Sequence, residues 1–314
     1  MHARFTFAVP LLALAVASAS FGASPVYVRS IGGQGTAPGL LQLPTGVAID
    51  AAGDVYVSDS ENCRVTRFRS DGTYVTHWNA CGAQSGQASG IAVDANGTVF
   101  VALRHGVLAM FDADGTPLGQ VTHDNLGDRL SEPRGLEAME EGVYLTDYGT
   151  SKIYRWDLGG LAPIASGRGC GPGEFWGPVS VAWAGGRLFV TEYSDRLQEL
   201  TEQGGFVAEL GSTASCGQVR GYPRAVCALG ADRLVVLDAL HNSAEIITTG
   251  GTLIAAWGGQ GSGPDQLYGP FDVATDAQGR IYIADAWNGR IQVYDSGPTP
   301  ARPTTWGRLK TIYR

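Results

Sequence analysis

One unit is repeated six times along this chain at intervals of about 45 residues, and a period of that length restricts the fold more tightly than composition does. Aligned on the residue before the first strand, the copies begin at Pro44, Ala88, Pro133, Pro178, Pro223 and Pro270, separated by 44, 45, 45, 45 and 47 residues. Each opens with two short β-branched and aromatic runs, such as "GVAID" and "VYVSD" in the first copy and "DVATD" and "IYIAD" in the sixth. Such runs suit a pleated, largely buried sheet. The turn between them carries Asp and Gly three apart: Asp50 and Gly53, Asp94 and Gly97, Asp276 and Gly279. Asp there closes an Asx turn and Gly accepts a positive φ. A second Gly-centred turn follows the third strand, at Gly72, Gly115, Gly160, Gly205 and Gly251. Four antiparallel strands per copy make a propeller blade, so the prediction is all-β, a six-bladed β-propeller of four-stranded antiparallel blades.

The repeat "P-x-G-V-A-x-D-x-x-G-x-V-Y-V-x-D-x-x-N-x-R-V" resembles the NHL repeat, and six copies are similar to a six-bladed NHL propeller. The resemblance spans essentially the whole chain after its first residues. Blades one and six match closely, whereas blade two has Leu103 in place of the acid and blades four and five lack the first Gly. "WD" occurs once, at Trp156 and Asp157, which sets WD-type repeats aside. The N-terminal "VYVRSIGGQGTAPGLLQLPTG" parallels the "LIAAWGGQGSGPDQLYGPFD" that precedes blade six. Val26 to Ile31 is therefore predicted to be a fourth strand that completes blade six, closing the ring with an N-terminal strand and removing an exposed edge. Trp306, Leu309 and Tyr313 in the tail are expected to seal the fold.

Residues 1–19 read as a secretory signal peptide: Arg4 precedes an apolar run from Phe5 to Ala17, with Ala17 and Ala19 placed for cleavage before Ser20. The run is too short for a membrane span, which needs ~20 apolar residues, and no later stretch reaches that length. The expectation is an exported bacterial protein, secreted or periplasmic, with residues 20–314 as one propeller and a monomeric state. Forty-five Gly and 15 Pro are spread along the chain, so turns are many and no linker stands out. Cleavage leaves 21 Lys and Arg against 30 Asp and Glu, a charge of −9. That sign repels phosphate backbones and argues against a nucleic-acid partner.

In such a propeller the loops leading into each first strand and the turns between second and third strands share one face, here called the top. An acid recurs in those turns as Asp59, Asp147, Glu192, Asp238 and Asp285, with a base after it at Arg64, Lys152, Arg196 and Arg290. A pair repeated around the ring belongs to the fold. Binding residues are sought among those that do not repeat: Arg134, Arg224 and Asp272 at the strand starts, Glu137 in a column of small residues, and Tyr148, Tyr193, His241 and Trp287 in the top turns. A carboxylate on an inner strand needs a partner or water; Glu137 is read either as plugging the channel against a neighbouring Arg or as a ligand contact.

The family includes an amidating lyase with zinc on three His, but here the leading column holds no His and only His241 sits in a well-placed top turn. A lactonase-like calcium site would draw on Glu137, Asp272 and Asn288. No motif supports calcium or zinc, and no Ser or Cys nucleophile motif is present. The leading expectation is a binding propeller that takes a protein, peptide or glycan on its top face without catalysis of its own. The alternative is a metal-dependent lyase or hydrolase with an atypical central site. Five Cys in an oxidising compartment suggest disulfides: Cys63 with Cys81, antiparallel neighbours, and Cys170 with Cys216, with Cys216–Cys227 as the rival second pairing.

Overall fold

The computed structural model describes residues 24–82, 87–139, 142–210 and 223–297, so the segment read as a signal peptide and the C-terminal tail with Trp306, Leu309 and Tyr313 lie outside the described residues. Six separate four-stranded antiparallel sheets account for all 24 strands among the described residues. Blade one is β2 (Pro44–Ile49), β3 (Val55–Asp59), β4 (Arg64–Phe68) and β5 (Tyr74–Asn79). Blade two is β6 (Ala88–Val93), β7 (Val99–Leu103), β8 (Val107–Phe111) and β9 (Pro117–Val121). Blade three is β10 (Pro133–Met139), β11 (Gly142–Asp147), β12 (Lys152–Asp157) and β13 (Gly160–Ser166). Blade four is β14 (Pro178–Ala184), β15 (Arg187–Glu192), β16 (Leu197–Leu200) and β17 (Phe206–Leu210). Blade five is β18 (Pro223–Ala228), β19 (Arg233–Asp238), β20 (Ser243–Thr248) and β21 (Leu253–Gly258). Blade six is β22 (Pro270–Thr275), β23 (Arg280–Asp285) and β24 (Arg290–Asp295), with β1 (Val26–Gly32) as its outer strand.

The first strand of each blade packs on that of the next, and β22 returns to β2, which closes the ring around a channel. Ring closure follows the predicted route: β1 runs antiparallel to β24, from Val26 opposite Asp295 to Gly32 opposite Arg290. The first and last described strands are thereby joined through a ladder in one sheet, so β24 is covered on both sides.

The leading Gly of the repeat has a steric origin. A Cβ on Gly46 would stand 2.5 Å from the Ser89 carbonyl of the next blade, and one on Gly135 would stand 2.6 Å from the Val179 carbonyl. In blades one to three the inner strands approach too closely there for a side chain directed between blades. Blades four and six place Ser180 and Asp272 in this column and use the added atoms as bonds across the seam: Ser180 Oγ accepts the Val226 N–H at 3.2 Å, and Asp272 Oδ2 accepts the Val47 N–H at 2.9 Å. The Asx hairpins form as predicted, Asp50 Oδ1 accepting the N–H groups of Ala52 and Asp54 at 2.9 Å with Gly53 at φ +88°.

On the top face the repeated acid and base form buried clamps in blades one, four and six. Asp285, fully buried, accepts the Tyr268 N–H at 2.7 Å, Arg290 Nε at 2.7 Å, Asn288 Nδ2 at 2.9 Å and Gln292 Nε2 at 3.0 Å. Arg290 extends onward to the carbonyls of Ser262, Gly263 and Gln266, so one ion pair fixes both the turn and the loop that leads into the blade. Asp59 with Arg64 and Glu192 with Arg196 repeat the arrangement. Blade three departs from the predicted pairing: Lys152 turns to Asp128 at 2.7 Å and Asp124 at 3.6 Å, while Asp147 accepts the backbone N–H groups of Ser131, Glu132, Gly149 and Thr150. Lys is a shorter, compact donor and cannot span acid and loop carbonyls as the Arg fork does.

Cys63 and Cys81 form the expected disulfide, with Cα atoms 5.6 Å apart. Cys170 is also disulfide-bonded, and Cys216 lies outside the described residues. Cys227 is a buried free thiol, which overturns the rival Cys216–Cys227 pairing. A disulfide is compatible with a secreted protein. Among the described residues no helix is long and apolar enough to cross a membrane, and the only helical element is a 3₁₀ turn at Ala286–Asn288.

Removing Asp285 leaves the Arg290 guanidinium without its buried counter-charge, so Asp285→Ala should lower unfolding stability by about 3–5 kcal/mol. Urea titration followed by tryptophan fluorescence measures this; a loss below ~1 kcal/mol would mean the clamp is incidental to the fold.

Candidate functional site

The channel is lined by the middle of each inner strand, and its unequal side chains are Glu137, Asp272 and Cys227 among Val47, Ile91, Leu136, Val181, Val226 and Val273. Its cavity is about 190 Å³, room for about six waters at ~30 Å³ each. Glu137 does not find the Arg partner considered for it. Its Oε1 instead faces the Trp183 N–H of the next blade at 3.4 Å. Arg134 is engaged elsewhere, bonded to Glu132 at 2.6 Å and stacked 3.9 Å from the centroid of the Tyr148 ring. Arg224 stacks over Phe271 at 3.7 Å, and its charge acts on Asp272.

Burial governs the acidity of the channel groups. It pushes Glu137 up to about 8, reinforced by the charge of Asp272 and opposed by the Trp183 N–H. It pushes Asp272 up to about 7, against the N–H groups of Val47 and Val273 and the charge of Arg224. The Cys227 thiol is driven well above its ordinary value by burial first and then by both carboxylates. The channel therefore holds two carboxyl groups that give up their protons later than ordinary carboxylates, Glu137 at about 8 and Asp272 at about 7, a shift suited to proton donation by Glu137. Among the described residues no group of three or more His, Cys, Asp or Glu side chains converges as metal ligands.

The remaining predicted residues lie in the top loops, away from Glu137, which sits midway down its strand. Tyr148 and Tyr193 meet edge to face with centroids 5.9 Å apart, joining blades three and four. Trp287, 54 % exposed, lies 6.2 Å from the exposed Tyr268 ring, and its N–H bonds the Tyr268 carbonyl at 3.1 Å. His241, on blade five between them, donates its Nδ1–H to Asp238 Oδ2 at 2.7 Å, a bond that raises its pKa. Two aromatic contributors went unrecognised in the sequence, Trp176 and Tyr268. Both belong to loops whose Gly-rich composition reads as turn, and Trp176 carries Arg168 over its ring at 4.9 Å. The structure thus divides the predicted residues into a channel pair and an arc of rings across blades three to six.

Residues 41–68 and 267–294 match the family model for the NHL repeat. Blades one and six are NHL repeats. These NHL segments are the two in which the Asp, Asn and Arg of the top clamp are all present. No curated protein sequence matches the chain significantly. Among solved structures the NHL-bearing ring is similar to a gluconolactonase from Xanthomonas campestris, with a TM-score of 0.64, 17 % identity, and coverage of 88 % of this chain and 98 % of that one. It is similar to a catalytically inactive virginiamycin B lyase from Staphylococcus aureus with quinupristin, with a TM-score of 0.59, 16 % identity, and coverage of 86 % and 88 %. A streptogramin B lyase shares a TM-score of 0.56 at 15 % identity over 79 % of this chain and 78 % of that one. At such identities the likeness is one of fold.

Because both channel carboxyls titrate higher in the folded state, folding binds protons, and stability falls as pH rises from the ordinary Glu value of 4.5 through about 8. Glu137→Gln should flatten that fall and melt at a higher temperature than the parent at pH 8 to 9, while Asp272 keeps a residual slope ending near 7. Thermal melts across pH 5 to 9 read both effects; an unchanged pH profile in the variant would remove Glu137 as the titrating group.

Proposed function

We propose that this is an exported binding propeller whose top face takes a protein or peptide ligand. The observation that carries the reading is the placement of exposed rings. Of the five exposed aromatic side chains among the described residues, Trp176, Tyr193, Tyr268 and Trp287 stand in top loops of blades four and six, with Phe206 the exception on an outer strand. Exposed Leu240 and His241 bridge them on blade five. Large amphipathic rings left in water cost solvation, and their concentration on one face marks a contact surface. Arg134 and Arg168 stacked on neighbouring rings add cationic edges that suit backbone carbonyls and carboxylates.

A second reading has its own support in the buried channel pair, Glu137 and Asp272, whose acidity is lowered by burial, and in the likeness of the ring to a lyase and a gluconolactonase. In that reading Glu137 is a general acid for a lyase or hydrolase reaction, with Arg134, Arg224 and His241 holding substrate above it.

A random peptide library displayed on phage and panned on the immobilised protein tests the first reading. Enriched peptides should bind the Trp287→Ala/Tyr193→Ala double variant at least about tenfold more weakly. No enrichment, or equal binding to the variant, counts against it. Incubation with glucono-δ-lactone and with quinupristin tests the second: turnover lost in Glu137→Gln would install the enzymatic reading in place of the first.

A further inference from the structure

The turn between first and second strands carries Asp50, Asp94 and Asp276 in blades one, two and six. In blades one and six that Asp also receives a buried Tyr hydroxyl from the second strand, Tyr56 at 3.2 Å from Asp50 and Tyr282 at 3.0 Å from Asp276. Blade three keeps the ring as Tyr144 but replaces the Asp with Met139, and among the described residues the Tyr144 hydroxyl has no hydrogen-bond partner. Beside it blade four breaks another column: Trp183 stands where the other blades have Ile49, Val93, Ala138, Ala228 and Thr275. The Tyr144 and Trp183 rings lie 15° from parallel with centroids 6.2 Å apart.

These departures meet at the bottom end of the channel and border a cavity of about 560 Å³ that Asp94, Arg155 and Glu202 also line. Val93 and Ala138 face both this cavity and the channel. A second hollow of about 1100 Å³ shares Asp94, Met139, Gly142 and Arg155 and continues past Trp156 to Leu158, which is fully exposed. The two form one groove across the bottom of blades two to four.

We infer that this groove binds a neutral oligosaccharide, with Trp183 and Trp156 as platforms for sugar rings and Tyr144, Asp94, Arg155 and Glu202 meeting hydroxyls. Its volume suits a ligand of several rings, small-molecule pockets running at roughly 300–1,000 Å³. Its charged groups are engaged within the lining, three acids to one base: Arg155 faces Glu202 at 3.1 Å and Asp157 at 3.7 Å, and Asp94 Oδ1 accepts the N–H groups of Asn96 and Thr98 at 2.9 and 2.8 Å. Such a lining disfavours an anion, and it presents both donors and acceptors, which is what a ring of hydroxyls requires. The apolar C–H face of a pyranose matches the electron-rich face of an indole. A peptide added as a strand needs an open sheet edge, whereas turns and side chains line this groove. The site lies on the face opposite the proposed protein-binding arc, so the two stand or fall separately.

Isothermal titration with chitotetraose, cellotetraose, maltotetraose and a control tetrapeptide tests the inference on the whole protein. At least one saccharide should bind with a Kd below ~1 mM, and Trp183→Ala should weaken it about tenfold or more. Met139→Asp returns the repeat's own acid to Tyr144, engages its hydroxyl as in blades one and six, and removes the apolar Met side chain from the lining; it should weaken binding about tenfold or more while the melting temperature holds or rises. Trp287→Ala should leave binding unchanged. Absence of binding across the saccharides, binding indifferent to Met139→Asp, or capture of the tetrapeptide in its place would overturn the inference.

Discussion

The ring depends on a buried carboxylate at the turn between the second and third strands of a blade. Asp59, Glu192 and Asp285 are out of contact with water, and each gathers a guanidinium and a backbone N–H of the loop that leads into its own blade. A buried ion pair of this kind adds little stability over an apolar packing, but losing half of it is costly, so it acts as a device for specifying geometry. Its consequence is positional. The loops that cross from one blade to the next are long and rich in Gly, and the Arg forks of Arg64, Arg196 and Arg290 tie their carbonyls down. The top face is thereby a set of fixed platforms on which Trp176, Tyr268 and Trp287 can remain exposed without collapsing onto the sheets.

Symmetry separates scaffold from site. Where a residue recurs with the period, its bonds close within the blade or to the neighbouring blade, as with Gly46, Asp50 or Asp285. Where the period breaks, the local hydrogen-bond pattern is left incomplete or a cavity is bordered: Glu137 and Asp272 line the channel, and Met139 and Trp183 line the groove beneath it. Lys152 shows that a break can also be absorbed, since Asp147 satisfies backbone donors while the ammonium finds Asp124 and Asp128.

Much of this was legible in the chain. The blade count, the strand order within each blade and the Cys63–Cys81 bridge follow from local spacing, because hairpin neighbours in sequence are neighbours in space; β1 as the closing strand follows from the likeness of its segment to the one that precedes blade six. The pairing of Arg134 was not legible. Whether that side chain turned inward to Glu137 or outward to Glu132 and Tyr148 depends on a rotamer chosen by packing from the adjacent blade. Trp176 and Tyr268 escaped notice for a related reason: inside a turn-rich loop, exposure is decided by how the loop is tied down.

The sequence by itself determined a closed ring of six sheets, because a period of 45 residues with four strands per copy leaves each blade unable to bury both its faces until the next blade covers them. Only the tertiary structure decided where its surfaces are hollow. Tyr144 and Met139 come from blade three and Trp183 from blade four, more than 35 residues away, and their meeting depends on the angle at which one sheet rests on the next. A column of aligned repeats displays each substitution separately; the physical event, a missing acceptor beside an added ring, exists only at the seam between blades.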